Sequence, residues 1–277
     1  MKDKKISLIC KMIVIVLIIV LIGTICYGYY KNVTQNAQNP IVTMEVENHG
    51  TVKIELYPNL APETVSNFVK LANNGFYNGL TFHRVIKEFM IQGGDPNGDG
   101  TGLPKLSDLN TDIEKDSADD KEYCITGEFA DNGYKNNNLN LTAGTIAMAR
   151  SDYTSYSSTL AKESYNSGGS QFFIMTTNDY TGLSGKYAGF GKVIEGMDVI
   201  ESIANVEVKA SQEQTEEGED VEETSSSDVE VSTPVEEVKI SSISVDTFGA
   251  DYGLPKTLDV FNYMKWLYSL YGLQYNE

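Results

Sequence analysis

Hydrophobic and polar residues alternate strictly in two short stretches. Val42, Met44 and Val46 are interleaved with Thr43, Glu45 and Glu47, and Val52, Ile54 and Leu56 resume the pattern after Asn48-His49-Gly50. A period of two buries one face of each stretch and predicts a hairpin. A three-residue connection ending in glycine suits a type I turn closed by a left-handed position, which makes His49 a turn residue rather than a ligand. The period then lengthens in APETVSNFVKLANNG. Pro62 stands where the first helical turn lacks partners anyway, Glu63 at the positive end of the dipole and Gly75 at the exit, while Val65, Phe68, Val69 and Ala72 line one side. Short apolar runs recur at Thr81–Ile86, Phe89–Gln92, Gly144–Ala149, Gln171–Met175 and Phe190–Val193, separated by Gly- and Asn-rich loops. Many short strands with few helices predict a barrel or sandwich. Val238, Ile240, Ile243 and Val245 add a last strand whose phase slips once at Ser241-Ser242, the mark of a bulge. From Thr257 to Leu270, Leu258, Phe261, Met264 and Tyr268 fall at helical spacings and predict a terminal helix that packs on the domain.

One run differs in kind. Residues 12–30, MIVIVLIIVLIGTICYGYY, carry no charge over 19 positions, close to the length that spans a bilayer's hydrocarbon core as a helix. Lys2, Lys4, Lys5 and Lys11 precede the run and only Lys31 follows closely, a bias that places the N-terminus in the cytoplasm. Tyr27, Tyr29 and Tyr30 suit an interfacial aromatic belt on the far side. The expected organisation is a basic cytoplasmic tail at 1–11, a transmembrane signal-anchor helix at 12–30, a linker at 31–39, a folded domain at 40–248 and a helical extension at 249–277. That makes a single-pass protein of the cell membrane with its C-terminal domain extracytoplasmic. A cleaved signal peptide is the competing reading, although no small-x-small pattern follows the run directly.

Two segments interrupt the domain. Residues 103–122 are acidic and aperiodic, and 210–233 hold nine carboxylates and no base. Neither carries enough apolar surface to order itself, so both are expected to be mobile loops. The second holds about half of the charge excess of the 277-residue chain, which has 21 basic and 39 acidic side chains and a formal net charge of −18. Such a chain repels polyphosphate, which argues against nucleic acid as a partner. Three cysteines, Cys10, Cys26 and Cys124, leave no disulfide framework or CxxC motif, and His49 and His83 lack neighbouring cysteine ligands for a zinc site. Asp95, Asn97, Asp99 and Gly100 reproduce the first half of a calcium loop, but Leu106 occupies the twelfth position, where a bidentate glutamate belongs. A calcium-responsive surface protein is a reading that rests on this incomplete loop alone.

The densest chemistry lies in FHRVIKEFMIQGGDPNGDGTG at 82–102, GTIAMAR at 144–150 and GSQFFI at 169–174. With APETVSNF, GEF at 127–129 and FGKVIEGMDVI at 190–200, these motifs resemble the cyclophilin family of peptidyl-prolyl isomerases from about Ile41 to Gly249. The resemblance implies a mostly β fold, a closed eight-stranded antiparallel barrel capped by two α-helices with a groove on its outer face. The N-terminal transmembrane helix and the C-terminal helix are additions to that plan.

An amide before proline rotates only after losing its resonance, against a barrier of about 18 to 20 kcal/mol. No bond to carbon breaks and no cofactor is needed. A catalyst holds the ring, anchors the flanking peptide and donates hydrogen bonds to an amide whose nitrogen has regained its lone pair. A guanidinium, always charged and with several fixed N–H groups, suits that task. The resemblance assigns the catalytic arginine to Arg84 and its orienting, substrate-bonding glutamine to Gln92. It assigns the proline pocket to Phe89, Met90, Phe173 and Leu183, adjoining groove positions to His83, Gln171 and Tyr187, and a peptide-receiving strand edge to Ala149 and Arg150. Two of these depart from the best-known members: Arg150 replaces an asparagine and Tyr187 a histidine. In NDYTGLSGKY at 178–187 the groove tryptophan of cyclosporin-sensitive members has no counterpart, the nearest ring being Tyr180, so weak cyclosporin binding is expected.

The function implied is isomerisation of Xaa-Pro bonds in proline-containing peptides and unfolded segments of exported or surface proteins. A low-turnover proline-peptide binding module tethered to the membrane is the alternative. Arg84 beside an apolar ring pocket favours the enzyme, because a scaffold has no use for the guanidinium.

Overall fold

The structure, a computed structural model, describes residues 2–35, 38–209 and 232–275. They fall into two compact units. The first contains α1 (Lys2–Gln35), within which the described side chains, 12–28, are all exposed. Among the described residues no helix is long and apolar enough to cross a membrane. The expected span at 12–30 is therefore not shown, although the α1 backbone is helical throughout it.

The second unit comprises Pro40–Asp246 and the chain from Asp251 onward. Its elements in chain order are β1 (Ile41–Val46), β2 (Gly50–Leu56), α2 (Pro62–Asn73), β3 (Arg84–Ile86), β4 (Met90–Gly93), α3 (Leu106–Leu109), β5 (Tyr123–Ile125), β6 (Thr145–Met148), α4 (Ala161–Tyr165), β7 (Phe172–Met175), β8 (Gly189–Glu195), α5 (Met197–Ala204), β9 (Ile240–Asp246), β10 (Thr257–Asp259) and α6 (Tyr263–Leu270). The main sheet runs β3-β4-β7-β6-β8-β2-β1-β9, and its adjacent strands pair antiparallel.

This sheet corrects the expectation of a closed barrel. It curls, but its edge strands β3 and β9 share no ladder. The seam is joined instead through the segment before β3, where Gly79 N–H donates to Ile240 O (2.8 Å), Ile240 N–H to Leu80 O (2.8 Å) and Phe82 N–H to Val238 O (2.9 Å). These bonds still occupy much of the edge that an open sheet leaves unpaired. The bulge forms as expected: Glu45 pairs Ser242 and Val46 pairs Ile240, so Ser241 is the extra residue. That single insertion lets Ile240, Ile243 and Val245 all face the core.

Inside the curl, Phe68 of α2 meets Tyr77, Phe172 and Phe190 at centroid distances of 5.0, 5.7 and 5.3 Å. α2 begins with Pro62 at its first position, as expected, but Ala61 supplies no side-chain cap. The cap comes from the buried Glu128, whose carboxylate accepts from Glu63 N (3.1 Å), Thr64 N (2.8 Å) and Thr64 Oγ (2.8 Å). His49 lies in the β1–β2 turn, with Nδ1 2.9 Å from Ser202 Oγ.

Residues 103–122, expected as a mobile loop, fold against the domain. Leu106 N–H donates to Lys121 O and Tyr123 N–H to Pro104 O, Leu109 is buried, and Asp120 accepts from Ser107 N (2.9 Å) and Asp116 N (2.8 Å). Carboxylates that accept backbone N–H groups organise this segment without an apolar period. Most of the acidic segment 210–233 lies outside the described residues. The C-terminal extension also differs from expectation. Thr257–Asp259 is strand β10, paired with β5, and the helix starts only at Tyr263, where the Asn262 side chain accepts from Lys265 N.

Candidate active site

The site follows from register. Arg84 of β3 pairs with Gln92 of β4, Gln92 with Phe173 of β7, and Phe173 with Ala147 of β6. Side chains one row apart alternate faces, so this row lies on the outer face, while Ile91, Phe172 and Ile174 point into the main core. Two rows along, Ile86, Met90 and Met175 return to the same outer face. Strands β4, β6 and β7 are buried on both sides because a second apolar cluster of Met90, Leu141, Ala147, Phe173 and Met175 covers that face.

A cavity of 220 Å³ opens over this cluster. Its walls include Phe89, Met90, Phe173, Leu183 and Tyr187, with Arg84 and Gln92 at one side and Ala149 and Arg150 at the other. Nine of the eleven sequence-assigned residues thus converge on one pocket. Gln171 borders a neighbouring cavity.

The polar side is a chain of hydrogen bonds. Gln171 Nε2 donates to the carbonyls of Gly100 (3.1 Å) and Gly102 (3.0 Å), Gln92 Nε2 donates to Gln171 Oε1 (2.9 Å), and Arg84 Nη1 donates to Gln92 Oε1 (3.4 Å). The half-buried guanidinium also approaches Met90 Sδ at 3.8 Å. Two carbonyls can only accept, which fixes the Gln171 amide, then the Gln92 amide, and finally turns an acceptor toward Arg84.

The opposite wall is aromatic. Tyr187 meets Phe173 edge to face at 5.4 Å, and the Arg150 guanidinium stacks on Tyr187 (4.6 Å), Tyr165 (5.3 Å) and Phe129 (5.7 Å). Arg150 also donates to Lys186 O and Ser164 Oγ, at 3.2 and 3.3 Å. Its side chain is thereby held among rings, a support for Tyr187 that sequence reading missed. Phe129 lies in the quoted GEF motif, but nothing in the sequence linked Tyr165 to this wall. Cation–π contact, strongest over a desolvated ring, explains the arrangement.

His83 is placed elsewhere. It is 8 % exposed, lines neither cavity, and neither ring nitrogen has a hydrogen-bond partner among the described residues. Burial lowers its pKa; Asp95 and Asp99 oppose that shift and Arg84 adds to it. Tyr180, half exposed, stacks at 4.3 Å on Phe89, which lines the pocket. Asp95, the first position of the calcium-like loop, turns inward and accepts from the N–H groups of Asn97, Asp99, Gly100 and Gly102. A side chain at Gly102 would collide with that carboxylate. The loop is a backbone-saturated turn, and the described residues contain no group of three or more His, Cys, Asp or Glu side chains placed to hold a metal.

The family model described as cyclophilin type peptidyl-prolyl cis-trans isomerase/CLD matches residues 41–245. The chain belongs to this family. Peptidyl-prolyl cis-trans isomerase B of Bacillus subtilis is 37% identical over 163 residues, 59% of this chain and 90% of that protein. A peptidyl-prolyl cis-trans isomerase of Synechococcus elongatus is 38% identical over 158 residues, 56% of this chain and 83% of that one. Among solved structures, a cyclophilin-type isomerase of Cryptosporidium parvum, crystallised in the presence of the dipeptide Ala-Pro, superposes with a TM-score of 0.53 at 25% identity, covering 74% of this chain and 98% of that one. This cyclophilin is a peptidyl-prolyl cis-trans isomerase. Its helix α1 and terminal helix α6 lie outside the matched span.

Proposed function

We propose that this cyclophilin isomerises Xaa-Pro bonds of exported or surface proteins while tethered to the cell membrane by residues 12–30. The observation that carries the catalytic part is the row Arg84–Gln92–Phe173, a fixed cation beside a 220 Å³ apolar pocket. The proline ring enters over Phe173 between Met90, Phe89 and Leu183, and the peptide runs past Ala149. Arg84 then donates to the carbonyl oxygen and to the prolyl nitrogen as planarity is lost, while Gln92 and Gln171 hold the guanidinium in place. Such preorganised donors act where charge develops and undergo no reorganisation during the rotation. Lowering the barrier by about 7 kcal/mol would give roughly 10⁵-fold acceleration. The tether is supported by the uncharged 19-residue run and by the lysines ahead of it.

Proline isomerisation by the full chain in mild detergent tests the catalytic assignment. Arg84→Ala is expected to reduce kcat/KM about 100- to 1,000-fold, the scale of one lost transition-state donor, with the fold unchanged. Equal rates in wild type and variant would remove Arg84 from the mechanism. In the same assay cyclosporin is expected to inhibit no better than micromolar, because Tyr180 packs on Phe89 and no tryptophan lines the pocket. Nanomolar inhibition would contradict that expectation.

A further inference from the structure

The C-terminal extension lies beyond the family match, which ends at residue 245, yet it is tied to the domain at three places. Ser66 Oγ donates to Gly253 O (3.1 Å), Lys256 N–H donates to Glu63 Oε2 (2.6 Å), and β10 pairs with β5, which sets Val260 beside the groove. From Phe261 to Tyr275, however, no residue is buried. This last part, α6 included, does not complete the core. Its rings go instead to the 151–168 loop, where Phe261 packs on Tyr153 at 5.0 Å and Tyr263 on Tyr156 at 4.6 Å.

That loop supports the aromatic wall of the pocket. Ser164, fully buried, donates its Oγ hydrogen to Ser151 O (2.8 Å) and accepts from Tyr153 N (3.0 Å) and Arg150 Nη1 (3.3 Å). A hydroxyl has one donor and two acceptor positions, so these three bonds saturate it and join Tyr153 to Arg150. Tyr165, next in sequence, adds its ring to the guanidinium at 5.3 Å. Arg150 in turn lies on Tyr187 (4.6 Å), and Tyr187 meets Phe173 edge to face (5.4 Å). A continuous run of contacts thus leads from Phe261 through Tyr153, Ser164, Arg150 and Tyr187 to Phe173. Residues 151–157 belong to no helix or strand, so contacts from outside the loop decide how firmly Tyr153 is held.

Resting on the proline pocket proposed above, we infer that Phe261 is a positioning residue for substrate binding. Its ring clamps Tyr153 and thereby keeps Arg150 and Tyr187 in the arrangement that walls the pocket. A substrate binds only the competent fraction of a wall that can loosen, so release of the clamp raises KM. Arg84 and Gln92 line the other side of the pocket and are untouched, so kcat is retained. One aromatic pair sets the scale of the effect at about five-fold.

The test compares, in mild detergent and on an Ala-Pro peptide, the full chain with Phe261→Ala, Phe261→Tyr and a chain ending at Val260. Each is made alone and together with Arg150→Ala, and Arg84→Ala is assayed beside them. Phe261→Ala and the shortened chain are expected to raise KM about five-fold with kcat within about two-fold of wild type, and Phe261→Tyr to restore KM. In the Arg150→Ala background the changes at Phe261 are expected to add nothing, because the link they act through is already cut. An unchanged KM in the shortened chain overturns the inference. So does an equal rise in the Arg150→Ala background, or a loss of kcat that follows the folded fraction at constant KM. If Arg84→Ala works as well as wild type, it is the pocket reading itself that fails.

Discussion

The acceptor that Gln92 presents to the Arg84 guanidinium is decided at Gln171, two hydrogen bonds away. Because Gln171 must donate to the carbonyls of Gly100 and Gly102, the amides of Gln171 and Gln92 have one arrangement, which presents Gln92 Oε1 to Arg84. His83, next in sequence to Arg84 and assigned to the groove by the resemblance, lines neither cavity. Its lowered pKa, caused first by burial, means that the native state favours the neutral ring. The unfolded chain then binds more protons than the native one as pH falls below the ordinary imidazole value near 6.5. The stability that depends on neutral His83 is therefore complete above that value and is lost as pH falls through the lower native pKa. Wild type is expected to lose more unfolding free energy than His83→Phe between about pH 7.5 and 5, measured by denaturant titration at each pH. Parallel losses would show that His83 is not the titrating group. At this scale the sequence motifs placed nine residues on one pocket, whereas the burial of His83 and the ring stack around Arg150 depend on neighbours distant in the chain.

Among the elements, the β1–β2 hairpin, α2, and β9 with its bulge at Ser241 formed where their apolar period put them, whereas the helical spacing from Thr257 gave helix only from Tyr263. Elements held by polar contacts or by long-range pairing left no such mark. α3 and the 103–122 segment are organised by Asp108 and Asp120, and β10 exists because β5 lies beside it. α2 combines both cases, since its apolar face is local but its cap, Glu128, is 64 residues from Thr64. Removing that carboxylate leaves the Glu63 and Thr64 N–H groups without their acceptor. Glu128→Ala is expected to destabilise the domain by about 2 to 3 kcal/mol, read by chemical denaturation; a change below about 0.5 kcal/mol would mean that water caps the helix equally well.

For the whole molecule, the proposed tether predicts where the enzyme works. The full chain is expected to remain with membranes after an alkaline carbonate wash and to lose its domain to protease added from the extracytoplasmic side, whereas deletion of residues 12–30 should release it to the soluble fraction. Full-length protein in the soluble fraction would remove the tether from the proposal. The sequence by itself determined the strand pattern, the α2 helix, the family and most of the pocket, because alternating burial and dense motifs are written in contiguous residues. Tertiary structure alone decided that the sheet meets at a hydrogen-bonded seam instead of a continuous ladder, that the 103–122 segment folds, and that the C-terminal extension reaches the groove. Those outcomes rest on backbone donors and acceptors, which every residue carries alike, finding partners far along the chain.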